Sequence, residues 1–425
     1  MAKHIFTGFG FGPIQSGLFV KEAFQSGNFD RIVVAEIDQK LVDALRANKG
    51  TYYVNVAKAD GIEVLKIDNV EMLNPSIADD RKKLLDVLSQ STEITTSLPS
   101  VNFYNLGGQS SIASLIAGGL KKSKAKAAIV YTAENNNHAA EILEEAVGET
   151  IGALSLNHVQ FLNTVIGKMS QVVTNSAEIA QLNLKPISPG IERAFLVEEF
   201  NRILVSRTRI SGFEPGIGIF IEKDDLLPFE EAKLYGHNAV HALLAYLGAV
   251  KGYGKMTELK NDQAIMKIGR DAFLNESGAA LIKKYATLGD ELFTETGYRY
   301  FADDLLERMT NPYLTDTIER AGRDPVRKLG INDRIFGTMA VALEYGIEPK
   351  NMALGAMAGI VVLLKKAEEN KLPGELRFGD WRKLNNAQIE KIIRWIWNNQ
   401  TGKFDSQIIK YVQDARWRLM TFVNE

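Results

Sequence analysis

The run His4-Ile-Phe-Thr-Gly-Phe-Gly-Phe-Gly-Pro-Ile-Gln-Ser-Gly17 decides the fold of the first half of the chain. It reads as an apolar strand, a glycine turn, and a helix that begins near Pro13, since proline suits a first helical turn whose amide hydrogens have no intrahelical partner. Counted from Gly10 the turn is Gly-x-Gly-x-x-Gln-x-Gly, so Gln15 stands where a dinucleotide-binding fingerprint has its third glycine. That exchange predicts looser packing of helix on strand. Gly10 and Gly12 still let a pyrophosphate approach backbone amides at a helix N-terminus, where aligned peptide dipoles favour negative charge. Gly10, Gly12 and Gly17 are therefore the glycine candidates for cofactor binding.

The next hundred residues agree with a nucleotide-binding unit. Arg31-Ile-Val-Val-Ala-Glu-Ile-Asp38 is a second β-rich run ending in acid, and Leu41-Val-Asp-Ala-Leu45 continues it as a helix. An acidic side chain at that strand end bonds ribose hydroxyls and repels a 2′-phosphate, which makes Glu36 the candidate and NAD, rather than NADP, the expected cofactor. A plain strand cap is the alternative role for Glu36. The alternation goes on through Ile94-Thr-Thr-Ser-Leu98, a helix over 111–120, the buried-strand run Ala127-Ala-Ile-Val-Tyr-Thr132 and a helix over 139–146. Such alternation predicts a doubly wound, mostly parallel sheet with ligands beyond the carboxyl ends of its strands. Thr95 and Glu134-Asn135 occupy those ends. Phe195-Leu-Val and Ile203-Leu-Val-Ser206 read as further short strands.

From Pro228 onward the periodicity is helical, with apolar faces over 264–285, 336–345, 352–367 and 389–397. The fold class expected is thus α/β: a Rossmann-type domain over 1–222 followed by an all-α domain over 223–425. At its start lies Lys233-Leu-Tyr-Gly-His-Asn-Ala-Val-His241. At about 100° per residue, His237, His241 and Asn238 fall roughly 40°, 80° and 140° round from Lys233. A lysine desolvated beside a cleft loses its proton more readily and becomes able to take one from an alcohol. Asparagine amides hold the oxygen on which charge develops. A merely solvated helix face is the competing reading.

The spacing Lys-x4-Asn-x2-His resembles the active-site signature of the polyol-specific long-chain dehydrogenases, the mannitol dehydrogenase family. The segments Glu276–Tyr285 and Asn311–Leu329, continued by Asp333-Arg334, are most similar to its mannitol-1-phosphate branch. The resemblance implies Lys233 as general base, Asn135 and Asn238 polarising the carbonyl oxygen, and His241 orienting a substrate hydroxyl. It also implies Arg320 and Lys328 at the substrate site, with Arg323 and Arg327 adding charge. Where the family has Val-Asp-Arg-Ile this chain has Ile166-Gly-Lys-Met169, so Lys168 replaces the arginine and Gly167 the aspartate. The activity implied is reversible oxidation of mannitol 1-phosphate to fructose 6-phosphate. Reduction of a hexuronate, oxidation of unphosphorylated mannitol, and NADH sensing without catalysis are the alternatives.

Composition narrows the field. A chain of 425 residues calls for two domains, and an apolar fraction of 45% suffices to build both. The net charge of −2 gives no global field for nucleic acid or an anionic membrane. With no cysteine there is no disulfide and no thiolate metal site. His237-x3-His241 supplies only two of the three protein ligands that a catalytic zinc normally needs, so no metal is expected. No tyrosine is followed by lysine at the Tyr-x-x-x-Lys spacing of a short-chain dehydrogenase. With no leader pattern at Met1, a cytoplasmic enzyme acting on a small sugar or polyol is expected.

Overall fold

The computed structural model describes residues 4–152 and 157–424. The chain divides into two compact units, Met1–Leu227 and Pro228–Glu425. In the first, strands β1 (His4–Phe9), β2 (Phe29–Ala35), β3 (Tyr52–Ala57), β4 (Ile62–Ile67), β5 (Val70–Leu73) and β6 (Glu93–Thr96) come before β7 (Ala128–Thr132) and β8 (Val159–Ile166). They are followed by β9 (Ser170–Val173), β10 (Ala194–Glu198), β11 (Ile203–Ser206) and β12 (Phe220–Lys223). Among the described residues the main sheet has eight strands in the order β12-β11-β8-β7-β6-β1-β2-β5. From β5 to β8 all neighbours run parallel, while β11 lies antiparallel to β8. Val33, Val34, Ile94, Ile129 and Val130 are fully buried, because a parallel sheet covered on both faces needs continuous apolar strands rather than alternating ones.

The strand order reverses at β1, which pairs with β2 on one side and β6 on the other. Crevices beyond the carboxyl ends of strands at such a reversal are where open sheets of this kind bind ligands. The glycine turn, Glu36 and Thr95–Leu98 all sit there.

Phe195-Leu-Val is a strand, as its sequence reads: it lies in β10, which joins a second, four-stranded sheet of order β4-β3-β10-β9. The β3–β4 pair in it is a hairpin turning at Lys58–Gly61, where Lys58 N donates to Gly61 O (2.8 Å). The compact units part at 227/228, so β12, which pairs with β11 through Lys223, lies wholly in the first.

The second unit is helical throughout its described residues apart from one isolated bridge, Lys255 to Thr317. Its central helix, Ala239–Lys251, is buried on every side from Ala242 to Leu247. Glycines let neighbours approach it closely: a Cβ on Gly355 would stand 2.9 Å from Leu243, and one on Gly359 would stand 2.9 Å from Tyr246. No helix among the described residues is long and apolar enough to cross a membrane.

Candidate active site

In the first unit the chain turns at Gly10 with φ +81°, a conformation that favours glycine, and a Cβ there would stand 2.8 Å from Ser97 O. Open space surrounds the Cβ position of Gly12, and the helix starts at Pro13 as its ring geometry predicts. Gln15 does not loosen the packing. A Cβ on Gly8 would meet the Gln15 amide at 1.9 Å, so the glycine that admits close approach stands on β1 and the larger side chain on the helix. Gln15 Nε2 donates to Thr95 Oγ1 (2.6 Å) inside the fold. Thr95 is fully buried by this contact and supports the glycine turn from behind. Gly17, a cofactor candidate by its place in the fingerprint, is buried against Val197 and Val54; its lack of a side chain serves the packing of helix on the second sheet.

Glu36 closes the crevice. Its carboxylate accepts from Phe11 N in the glycine turn (2.8 Å), Ile37 N (2.7 Å) and Asp38 N (2.9 Å). Those three amides hold it beside the position a ribose would take. Glu134 is buried and accepts from Thr96 Oγ1 (2.9 Å), Leu98 N (2.9 Å) and the Tyr104 hydroxyl. Burial raises its pKa against those donors. Its role is to lock the turn after β6 against the turn after β7, so Glu134 positions its neighbours rather than offering an open oxygen. Asn135, next to it, is exposed, and Asn136 accepts from His138 N (2.8 Å) just before the following helix. Glycine turn, open approach and a fixed acid together fit a dinucleotide.

Lys168 departs from expectation. It is buried, and its ammonium donates to Glu198 O, Phe200 O (2.7 Å) and Asn201 Oδ1 (3.0 Å). An ammonium has three protons, so these contacts use its donor capacity and make it a clasp between β8 and the β10–β11 connection.

The second unit gathers its chemistry on residues 227–251. Within that helix, Ala232–Asn238 is a π-helical turn. Hydrogen bonds from i to i+5 widen the turn, and such bulges recur at functional sites. Lys233 and Asn238 are five positions apart, so a π turn brings them nearer round the axis than the roughly 140° of a regular helix. A second π turn, Ala272–Gly278, packs beside it, and Gly236 permits the contact, since a Cβ there would stand 2.8 Å from Phe273.

Burial lowers the Lys233 pKa to about 8; the Arg334 charge pushes the same way and Glu230 opposes it. Lys233 is thus close to its titration point at neutral pH. His237, fully enclosed, is driven well below the usual imidazole range by burial and by His241, Arg308, Lys233 and Arg334, so it is a neutral ring. His241 Nε2 donates to Asp316 Oδ2 (2.9 Å), and Arg320 Nη1 donates to Asp316 Oδ1 (3.3 Å). Although burial opposes ionisation of Asp316, the His241 hydrogen bond and the charges of His241, Arg320 and Lys328 hold its carboxyl below the ordinary range. Asp316 was not singled out from the sequence, although it lies in the resemblance segment Asn311–Leu329; only its partner identifies it. Lys328 is buried and donates to Ala321 O. Burial, then Arg334, Arg327 and Arg323, lower its pKa to about 7. Among the described residues no group of three or more His, Asp and Glu could hold a metal ion.

Residues 225–395 match the family model of the mannitol dehydrogenase C-terminal domain. The helical half is a member of that family. The chain is also similar in fold to mannitol 2-dehydrogenase from Pseudomonas fluorescens, solved with NAD and D-mannitol, at a TM-score of 0.69 and 18% identity. A substrate-free D-sorbitol dehydrogenase is similar at a TM-score of 0.77 and 15% identity. Each likeness covers 99% of this chain and 94% of the other. In the mannitol dehydrogenase domain the wide turn with Lys233 and Asn238, and the His241–Asp316–Arg320 chain, form the polar centre of an otherwise apolar bundle.

Proposed function

We propose that the protein is an NAD-dependent polyol dehydrogenase that interconverts a hexitol phosphate and its ketose, with mannitol 1-phosphate and fructose 6-phosphate the expected pair. The observation that carries this reading is Lys233 on its π turn, desolvated to a pKa of about 8 and sharing that turn with Asn238. In its neutral form Lys233 removes the proton of the alcohol that is oxidised. The side-chain amide of Asn238 holds the oxygen as its charge grows. His241, fixed by Asp316, receives a neighbouring hydroxyl. Bound NAD supplies the hydride acceptor, held by the glycine turn and Glu36. In the reverse direction protonated Lys233 returns the proton to the ketone oxygen. No metal is required by this scheme, and activity should survive prolonged chelation.

Support for an anionic substrate comes from the cations of the helical unit: Lys233, Lys328 and Arg334 each sit in the field of the others or are linked through it. A sugar acid is the second reading, because a planar guanidinium suits a carboxylate as well as a phosphate. A screen of NADH oxidation with fructose 6-phosphate, fructose, tagaturonate and fructuronate tests the proposal. Fructose 6-phosphate should give the highest kcat/KM. Preference for fructose or a hexuronate removes the phosphate and keeps the dehydrogenase; no turnover of any of them removes both.

A further inference from the structure

Arg334 opens the helix Arg334–Glu344, and three contacts fix where it stands. Asp333 caps the helix by accepting from Arg334 N (2.7 Å), and the same oxygen accepts from Arg334 Nε (2.7 Å). One turn on, Thr338 Oγ1 donates both to Arg334 O and to Tyr235 O (3.0 Å) within the π turn. Between them, Gly337 lets the two helices touch: a Cβ there would stand 2.6 Å from the Tyr235 ring. The start of this helix is therefore pressed against the turn that carries Lys233.

Arg334 as a whole residue is 9% exposed. Only its Nε is engaged; among the described residues no acceptor meets its two terminal nitrogens. Leaving strong donors of a buried cation unmet is costly unless something else meets them. The surroundings make this sharper. The Arg334 charge reaches Lys233, His237, Tyr246 and Lys328. Both lysines give up protons more easily chiefly because burial disfavours their charged forms, and the Arg334 charge adds to that. By contrast, the cations expected at the substrate from sequence are committed elsewhere: Arg320 to Asp316, Arg327 to Asp324 (2.8 Å), and Lys328 to Ala321 O.

We propose that Arg334, with the amide end of its helix, is the residue that receives the acidic group of the substrate, a phosphate or a carboxylate gripped through both terminal nitrogens. The assignment deepens the dehydrogenase reading and rests on it for the word substrate, but the anion site is testable without turnover. An anion there would fill the missing acceptor position, and the planar fork would orient it.

The test uses the full-length protein saturated with NADH, at constant ionic strength, and compares wild type with Arg334→Met, Arg334→Lys and a surface control, Arg270→Met. Thermal unfolding is followed with inorganic phosphate, gluconate or neutral mannitol. Wild type and control should be stabilised by phosphate or gluconate beyond any effect of mannitol; Arg334→Met should lose that increment and Arg334→Lys keep part of it. A response to phosphate alone points to a phosphorylated substrate, and a response to gluconate alone to a sugar acid; either supports the site. In turnover, Arg334→Met should raise KM for the ionic substrate about 10- to 100-fold, as loss of a charge-assisted contact implies, and raise KM for a neutral ketose far less. An anion increment that survives in Arg334→Met, its absence from wild type, or an equal rise in KM for neutral and ionic sugars would overturn the proposal. If wild type turns over no sugar, the dehydrogenase reading falls while the unfolding comparison still decides the anion site.

Discussion

The two halves of the molecule treat their polar groups in opposite ways. In the sheet unit, three buried or cleft-side charges near the glycine turn and β8 are matched within the chain: Glu36 by three amides, Glu134 by a threonine, a tyrosine and an amide, and Lys168 by three oxygens. In the helical unit, Lys233 and Lys328 are held with depressed pKa values and Arg334 keeps open donors. A cofactor that must be bound and released needs a preformed cradle, whereas a proton acceptor needs to be poised between two states. The cofactor cradle rests on satisfied groups, and the proton acceptor on a desolvated one.

The largest expected break in that contrast is Lys233→Ala. Loss of a general base should lower kcat for alcohol oxidation by about 10²- to 10⁴-fold, with NADH binding, read by fluorescence titration, unchanged. The wild-type rate of oxidation should rise with pH and level off above about 8, because only neutral Lys233 accepts the proton, while ketose reduction should decline across the same range. Substantial neutral-pH activity in the alanine variant would mean that another group does this work.

Asp316→Asn comes next. It keeps the shape and removes the charge that fixes His241 and faces Arg320. A loss of about tenfold in kcat/KM is expected, equivalent to about 1.4 kcal/mol of transition-state stabilisation. An unchanged value would show that the His241 ring is held well enough by packing alone.

Smaller effects belong to the satisfied half. Glu36→Ser removes the charge that would repel a 2′-phosphate, so the ratio of kcat/KM for NAD over NADP should fall by roughly tenfold or more. Equal use of both cofactors by wild type would mean that Glu36 is not the discriminating acid. Gly8→Ala would drive a methyl group into the Gln15 amide and should cost about 1–3 kcal/mol in chemical denaturation. The pair Gly8→Ala with Gln15→Gly should recover most of that loss; if it does not, the close approach is not what couples the two positions.

Much of this was legible in residues four to five apart or in alternating runs. The turn at Gly10, the start at Pro13, the strands β1, β2, β6, β7 and β8, and the helical second half follow from local pattern. The second sheet was missed because its strands are short and its partners distant, although Asp60-Gly61 between two β-rich runs is a hairpin signal. The contacts of Lys168 were not legible either: nothing in Ile166-Gly-Lys-Met169 reveals that its ammonium ends on the carbonyls of residues 198 and 200. Lys233, Asn238 and His241 could be named but not aligned, since regular helical geometry separates the first two and no periodicity announces a π turn. Asp316 and Arg334 act through tertiary neighbours, which a linear reading does not contain.

The wide turn also acts as a phase shifter. Downstream, Ala239–Lys251 is buried all round and keyed at Leu243 and Tyr246 into the glycine notches of a neighbouring helix, so its rotation is fixed by the core. Upstream, Phe229 is equally committed by burial against Phe293. Between two anchored ends, one surplus residue has nowhere to go except a local bulge. Deleting it would force every later residue about 100° out of phase. The core thus maintains the bulge at Lys233 much as a clamped spring keeps its bow, and the reactive geometry is inherited from side chains that never meet a substrate.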